Sequence, residues 1–466
     1  MSTVQLKNRL PQRYLVTSTS NSEVEGLRWF EKVLLGVGIL EIPLQIDKYF
    51  MFHERDANLG AVGGINVSVT TLCLIALYLL WTIWPSRANR KVRGELVYGL
   101  PMVFYIGIVG ISIFAAQIRM LSVFDVILLL QSYALFFYIA NRVRTRPDLN
   151  FLLGTFFVTA LLQSFVIFGQ KAIGESFIGQ RVDIGPLAFM VWDDGRPCST
   201  MHSPVLAGSF LGLIWLPALA ILTTLEKGWI RVLAVAMVVF GGLAILITQT
   251  RGAILTTVVG STAIGIACLW RGWFPIKLIA IGALMAVISI IPLMEVIDKR
   301  ITSGDGGSAE ARLHLAAIAK QMIERAPVFG VGAGNCHLVG ESFANQHEFR
   351  SLWYYTVHCK YLVVWVETGI IGLVAFMLVV SGGIRDGMSA WFSRNRYLGP
   401  IGFGLAVAIA GHMLHMIVDI FNSRTQVQTL WALLGTVAAI RMIAIQEADE
   451  AMYSSPEKDT EEGPVV

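Results

Sequence analysis

Four residues stand out as carriers of chemistry: Arg251, Arg312, His358 and Glu367. Arg251 sits in Thr248-Gln249-Thr250-Arg251-Gly252-Ala253, directly after a long apolar run. Its planar, permanently charged guanidinium suits a phosphate ligand. An arginine at a membrane boundary also simply snorkels to the interface. Arg312 falls on a predicted helix, where it shares a face with Ala316, Ala319 and Ile323 at three- and four-residue spacing. That otherwise apolar face leads us to expect Arg312 to point inward, the alternative being a solvated surface charge. His358, in Val357-His358-Cys359-Lys360-Tyr361-Leu362, stands where the next apolar run starts. Its ordinary pKa suits proton transfer, although most single histidines are ordinary hydrogen-bonding residues. Glu367 lies inside that run, before Thr368-Gly369-Ile370-Ile371-Gly372. A carboxylate in such a setting is costly and marks a functional or tightly paired group.

Other polar residues are ranked below these. His202 precedes Ser203-Pro204 at the start of a run and is placed to cap or line the same cavity. His412, His415 and Asp419 fall near one face of a late run, followed by Asn422, Arg424 and Gln426. That face must look into protein or water. A buried polar network is expected there, and the residues lack the spacing of zinc ligands. The 5 cysteines form no CxxC pair. Cys73 and Cys268 read as inert core, whereas Cys198, Cys336 and Cys359 fall in predicted loops, and spacing alone leaves a disulfide among them open.

The elements that must hold these residues follow from composition. Of 466 residues, 55% are hydrophobic and only 15% charged, against about 25% charged in soluble domains. The apolar residues come in blocks long enough to cross a bilayer as helices, and too long for the alternating strands of a barrel. About twelve spans are predicted, beginning near Leu27, Ile65, Leu96, Leu121, Phe151, Pro204, Trp229, Gly252, Phe274, Tyr361, Tyr397 and Val427. The first is the weakest, because Glu31, Lys32, Glu41 and Pro43 interrupt it, and an interfacial or kinked helix is expected there. With the N-terminus inside, the short cytoplasmic loops carry Arg87, Arg90, Lys91, Arg93, then Arg142, Arg144, Arg146, then Lys227, Arg231, Arg271, Lys277, and finally Arg385, Arg394, Arg396. Every inside loop is thus basic, as the positive-inside rule requires.

The expected fold class is therefore an all-α integral membrane protein with a large extracytoplasmic loop containing short helices. Residues 1–26 are expected to form a cytoplasmic segment, and no cleavable signal is visible in them. Residues 27–446 form the membrane domain, and 447–466 an acidic, disordered cytoplasmic tail. Long outside loops run from Lys171 to Ser203 and over 295–358. The second is too long for a passive connector. A Gly/Ser turn spans Ser303 to Ser308, and Ser308 is a plausible N-cap with Glu310 in the first turn. A helix then runs from about Ala309 to Arg325, where Pro327 stops it. Gly330, Gly332 and Gly334 then allow a tight turn.

These segments resemble a family. Arg312 through Asn335, reading RLHLAAIAKQMIERAPVFGVGAGN, resembles the signature of the O-antigen ligase and polymerase superfamily, in which an Arg-bearing helix leads into a Pro-Leu-Phe-Gly-x-Gly-type turn. HCKYLVVWVETGIIG resembles its following His-Asn-x-Tyr-Leu block, TQTRGA its Ser-Arg-Gly segment, and RPCSTMHSPVLAGSFL its Gly-x-x-x-His-Pro-Asn segment. The four occur in order from about Gly195 to Gly372. Cys359 stands where the family usually has Asn, and His202-Ser203-Pro204 replaces His-Pro-Asn.

The resemblance implies a GT-C-like membrane enzyme of the bacterial cytoplasmic (inner) membrane, with both termini cytoplasmic and its active site outside. It would transfer a glycan from undecaprenyl diphosphate to an acceptor hydroxyl, with inversion and without a metal or other cofactor. His358, Arg312 and Arg251 would be catalytic, and Arg251, Arg312, His202, Glu367, Tyr361 and Asn335 would contact substrate. Fixed cations would meet the charge growing on the diphosphate. Partners implied are the lipid-linked donor, a glycan or lipid acceptor, the bilayer and other polysaccharide-assembly proteins, but no nucleic acid. A ligase and a polymerase using a second lipid-linked repeat both fit. A transporter of lipid-linked glycans is the reading from another class, but it should show repeated halves and broken helices near the midplane, and no such repeat is visible.

Overall fold

The computed structural model describes residues 25–84, 97, 99–173, 178–192, 195–224, 227–272, 308–344, 356–393 and 395–454. In chain order these form α1 (Trp29–Leu44), β1 (Asp47–Phe50), α2 (Glu54–Asn58), β2 (Ile65–Ser68), α3 (Val69–Ile83), α4 (Leu100–Ser112), α5 (Arg119–Arg142) and α6 (Arg146–Ile173). They continue with β3 (Arg181–Ile184), β4 (Leu187–Met190), α7 (Pro204–Leu222), α8 (Trp229–Ile247) and α9 (Arg251–Trp270). The last are α10 (Ser308–Arg325), α11 (Cys336–Ala344), α12 (Lys360–Phe392), α13 (Leu398–His415) and α14 (Arg424–Ser454).

The molecule is a helical bundle with 8 described helices long and apolar enough to cross a membrane. Helices α3 and α4 are apolar but shorter. Nine of the predicted span starts fall in or beside a helix, Ile65 opens β2 four residues before α3, and the starts at Leu96 and Phe274 lie outside the described residues. Two small antiparallel sheets qualify the all-helical expectation. β1 pairs with β2, Asp47 opposite Ser68, and β3 pairs with β4, Arg181 opposite Met190. Both lie in connections at one end of the bundle, here the loop end. There Gln45 reaches Thr425 (3.1 Å) and His202 (2.7 Å).

α1 packs one face into the bundle. Leu35, Ile39 and Ile42 are fully buried, and so are Glu31 and Glu41. The helix tolerates those carboxylates because each is paired, as burial demands. Glu31 accepts from Arg142 (2.6 Å) and the Tyr138 hydroxyl (3.0 Å). Glu41 accepts from Arg424 (2.8 and 3.1 Å) and from Thr70 (2.5 Å). Pairing beats hydropathy here, which is why composition alone undervalued this helix.

Paired charges also fix the opposite end. Lys32 meets Asp148 (3.0 Å), and Arg146 grips Glu447 through two bonds of 2.5 and 2.9 Å. Asn395 adds a third contact to Glu447 (2.8 Å). These contacts carry α14 on to Ser454, through part of the segment expected to be a tail.

α12 breaks within the bundle. Gly369 has φ 69° and ψ −175°, a conformation reserved for glycine. The break lets the Val328–Gly334 turn dock on it. Val331 N–H donates to the Val366 carbonyl (2.8 Å), Gly332 N–H to that of Glu367 (2.9 Å), and Ile370 N–H to that of Pro327 (2.9 Å). A Cβ at Gly369 would collide with the Val328 carbonyl. Gly369→Ala is expected to cost about 1–3 kcal/mol from backbone conformation alone, with the collision in addition. A lowered melting temperature in detergent checks this, and an unchanged one would show that the break is dispensable.

Candidate active site

The docked turn organises the loop end. Gly330, Gly332 and Gly334 all have positive φ, between 70° and 97°. Added Cβ atoms there would meet the Glu367 backbone, Ala116 and the Asp125 carboxylate respectively. The turn is therefore as close-packed as its glycines suggest. Asn335, at its end, is fully buried. It accepts from Ile118 N–H (2.7 Å) and donates to the Ala333 carbonyl (2.8 Å), with weaker contacts to Ile118 and Ser122. Those bonds tie the turn to the start of α5. Glu367, also buried, accepts from Cys336 N–H (3.4 Å) and so faces the start of α11. The Tyr361 hydroxyl donates to the Met413 carbonyl (2.7 Å), joining α12 to α13. The structure thus gives Asn335, Glu367 and Tyr361 internal partners.

Arg312, His358, Arg251 and His202 occupy the loop end. Helix α10 exists where expected, but its inward face differs. Leu315, Ile318, Ala319 and Met322 are buried, whereas Arg312 is exposed. Apolar residues supply a better stripe, and the arginine, at its edge, keeps its charge in water. The Ser303–Ser308 turn, apart from Ser308, lies outside the described residues, as does the ninth span. Arg312 nonetheless acts on His358, which is half-buried at the foot of α12.

Burial, then the Arg312 charge, push the His358 imidazole below its ordinary range, opposed by Asp419 and a backbone bond at Thr356. A lowered histidine pKa leaves the ring neutral at neutral pH, as a proton acceptor must be. Activity that needs the neutral ring persists until pH falls through that lowered value. Arg312→Gln is expected to move the acid limb of kcat/KM to higher pH, and Asp419→Asn to lower pH. Limbs that move together, or not at all, would disprove the electrostatic link.

Asp419 also joins His358 to the polar network beyond. Gln426 donates to Asp419 (2.7 Å) and to Ser209 (3.2 Å), and His412 Nε2 lies 2.9 Å from Ser209 Oγ. Of the network expected from His412, His415 and Asp419, His412 and Asp419 are linked through Ser209 and Gln426, and His415 joins by ring contact with His412; among the described residues no cluster fit to hold a metal is found. His415 packs its ring on Gly252, where any side chain would collide. That contact sets the start of α9, and hence Arg251, beside the network. Thr250 anchors the same corner through the Pro204 carbonyl (2.9 Å). Arg251 is exposed as the first residue of α9. His202, in the same rim, binds Gln45, and its carbonyl accepts from Trp192 Nε1 (3.1 Å).

Sequence reasoning missed two features. Asp56 is held by His337 (2.8 Å) and His53 (3.4 Å), docking α2 on α11. Lys360 and Asp125 join Glu367 in lining a cavity of about 40 Å³. The only signal for these was an ionisable residue within or beside an apolar run. All 5 cysteines are free. No disulfide is therefore formed among Cys198, Cys336 and Cys359.

Residues 235–377 match the family model described as O-Antigen ligase. The match takes in Arg251, Arg312, Asn335, His358, Tyr361 and Glu367, and leaves His202 outside. No curated protein matches the chain. The matched stretch contains the exposed arginines, the docked glycine turn and the half-buried histidine, and by it the chain carries an O-antigen ligase domain of the ligase and polymerase superfamily.

Proposed function

We propose that this membrane enzyme transfers a glycan from undecaprenyl diphosphate to an acceptor hydroxyl on the extracytoplasmic face of the bacterial inner membrane. The observation that carries this reading is the placement of the half-buried His358 at the foot of α12, within electrostatic reach of the exposed Arg312, at the end of the bundle that also presents Arg251. The acceptor oxygen attacks the anomeric carbon as the bond to the diphosphate oxygen breaks. His358 takes the hydroxyl proton, and the lipid diphosphate leaves with its charge met by Arg251 and Arg312. Direct displacement inverts the anomeric centre. The basic residues Arg142, Arg146, Arg231, Arg271 and Arg385 lie away from this rim and favour a cytoplasmic location for the opposite end.

Reconstitution tests the proposal. Purified protein in vesicles is given a lipid-diphosphate-linked glycan with either a glycolipid acceptor or a second lipid-linked repeat. Acceptor-dependent release of lipid diphosphate is expected. Transfer to the glycolipid marks a ligase, whereas lengthening of the lipid-linked repeat marks a polymerase. Movement of intact donor across the bilayer without bond breakage would overturn the enzyme reading in favour of transport.

A further inference from the structure

The small cavity below the glycine turn has a charge balance that the transfer reaction does not explain. It is lined by Tyr105 from α4, Asp125 from α5, Lys360 and Glu367 from α12, Ala333 from the turn, and Asn422 from the segment before α14. Among the described residues, no other charged side chain lines it. Glu367 is only 8% exposed. A Cβ on Gly334 would lie 2.8 Å from Asp125 Oδ2, so the turn presses on that carboxylate. Two carboxylates and one ammonium therefore line a single space with room for a water or two.

Such a set does not stay doubly ionised. Two carboxylates sharing a site cannot both hold charge cheaply, and an unpaired one within a membrane protein is costly. One ammonium balances one carboxylate, and the other needs a proton.

Lys360 is also the residue through which the cluster reaches His358, two positions earlier. Its ammonium donates to Asn422 Oδ1, and the Asn422 amide donates to the Gly60 carbonyl (3.2 Å). Its backbone N–H donates to the Met416 carbonyl (2.9 Å). Lys360 thereby joins the foot of α12 to the end of α13 and to the first outer loop.

We infer that Asp125, Glu367 and Lys360 form an electroneutral cluster holding one proton between the two carboxyls, and that Lys360 is the positioning residue that sets His358. The second half rests on the proposed role of His358. The first half does not.

Infrared spectroscopy of the purified protein in slightly alkaline buffer tests the proton. A protonated-carboxyl band that shifts on hydrogen–deuterium exchange is expected in the wild type. It should vanish in Asp125→Asn and also in Glu367→Gln, because either change leaves a balanced pair. His358→Ala should keep the band, so a wrong base assignment would not disturb this result. Absence of the band, or its survival in both carboxamide variants, would overturn the cluster.

Lys360→Met is expected to lower kcat by about a hundredfold with KM held, as for a misplaced catalytic group. If that variant fails to fold, the charge-balanced Lys360→Met/Asp125→Asn protein takes its place and should fold with the same kcat defect. Wild-type kcat in a folded Lys360 variant would overturn the positioning role.

Discussion

His358→Ala is expected to lower kcat for glycan transfer by about 10²–10⁴-fold, the usual worth of a positioned general base. Donor affinity should change little, because the fixed charges at the rim come from Arg251 and Arg312. The side chain lies just before α12, outside the helical core, and α12 is held by other contacts. Lys360 N–H still meets Met416, Tyr361 still meets Met413, and the glycine turn still docks at the Gly369 break. The variant should therefore melt like the wild type. Single-turnover transfer in vesicles, read beside the melting curve, checks both halves. Wild-type turnover would remove His358 as the base. Lost turnover with a collapsed melting temperature would instead make the residue structural.

A second large effect is expected away from the chemistry. Arg424 is 5% exposed and Glu41 2%. Arg424 holds Glu41 through two bonds and approaches Asp47 at 3.2 Å. Thr425 donates to the Ile42 carbonyl (3.0 Å) beside it. Removing one partner of a buried pair leaves a charge with nothing to balance it, at a cost of about 3–5 kcal/mol. Arg424→Met should therefore destabilise the protein on that scale, read as loss of folded protein in detergent or early unfolding in denaturant. Removing both charges is different, since a matched apolar or amide pair is often nearly neutral. Glu41→Gln with Arg424→Met should recover most of the loss. A double variant no better than the single one would show that Asp47, not Glu41, is the partner that matters.

These predictions separate what was legible in the residues from what was not. Long apolar blocks announced a helical membrane protein, because a backbone in lipid must satisfy its own hydrogen bonds. The three glycines near Gly332 announced a tight turn, because positive φ is cheap only there. Pro327 marked the end of the helix before it. Arg251, Arg312 and His358 were proposed because charge and imidazole are conspicuous at the edge of apolar runs.

Other features depended on partners far away in the chain. Arg312 was expected to face inward, yet the inward stripe is Leu315, Ile318, Ala319 and Met322. Spacing defines several faces of a helix, and only the neighbouring elements choose among them. The first helix read as weak because local hydropathy cannot see Arg142 or Arg424, which neutralise its carboxylates from more than a hundred residues away. Asn335 and Tyr361 were expected beside substrate from the resemblance alone, and only the fold shows their internal partners Ile118, Ala333 and Met413.

The sequence by itself thus determined the class of molecule and marked residue types able to do chemistry. These follow from local properties: hydropathy, backbone freedom and fixed charge. Only the tertiary structure decided which charges are spent on one another and which remain at the rim. Electrostatic pairing acts through space, and Asp125, Lys360 and Glu367 come together only where α5 and α12 line the same cavity.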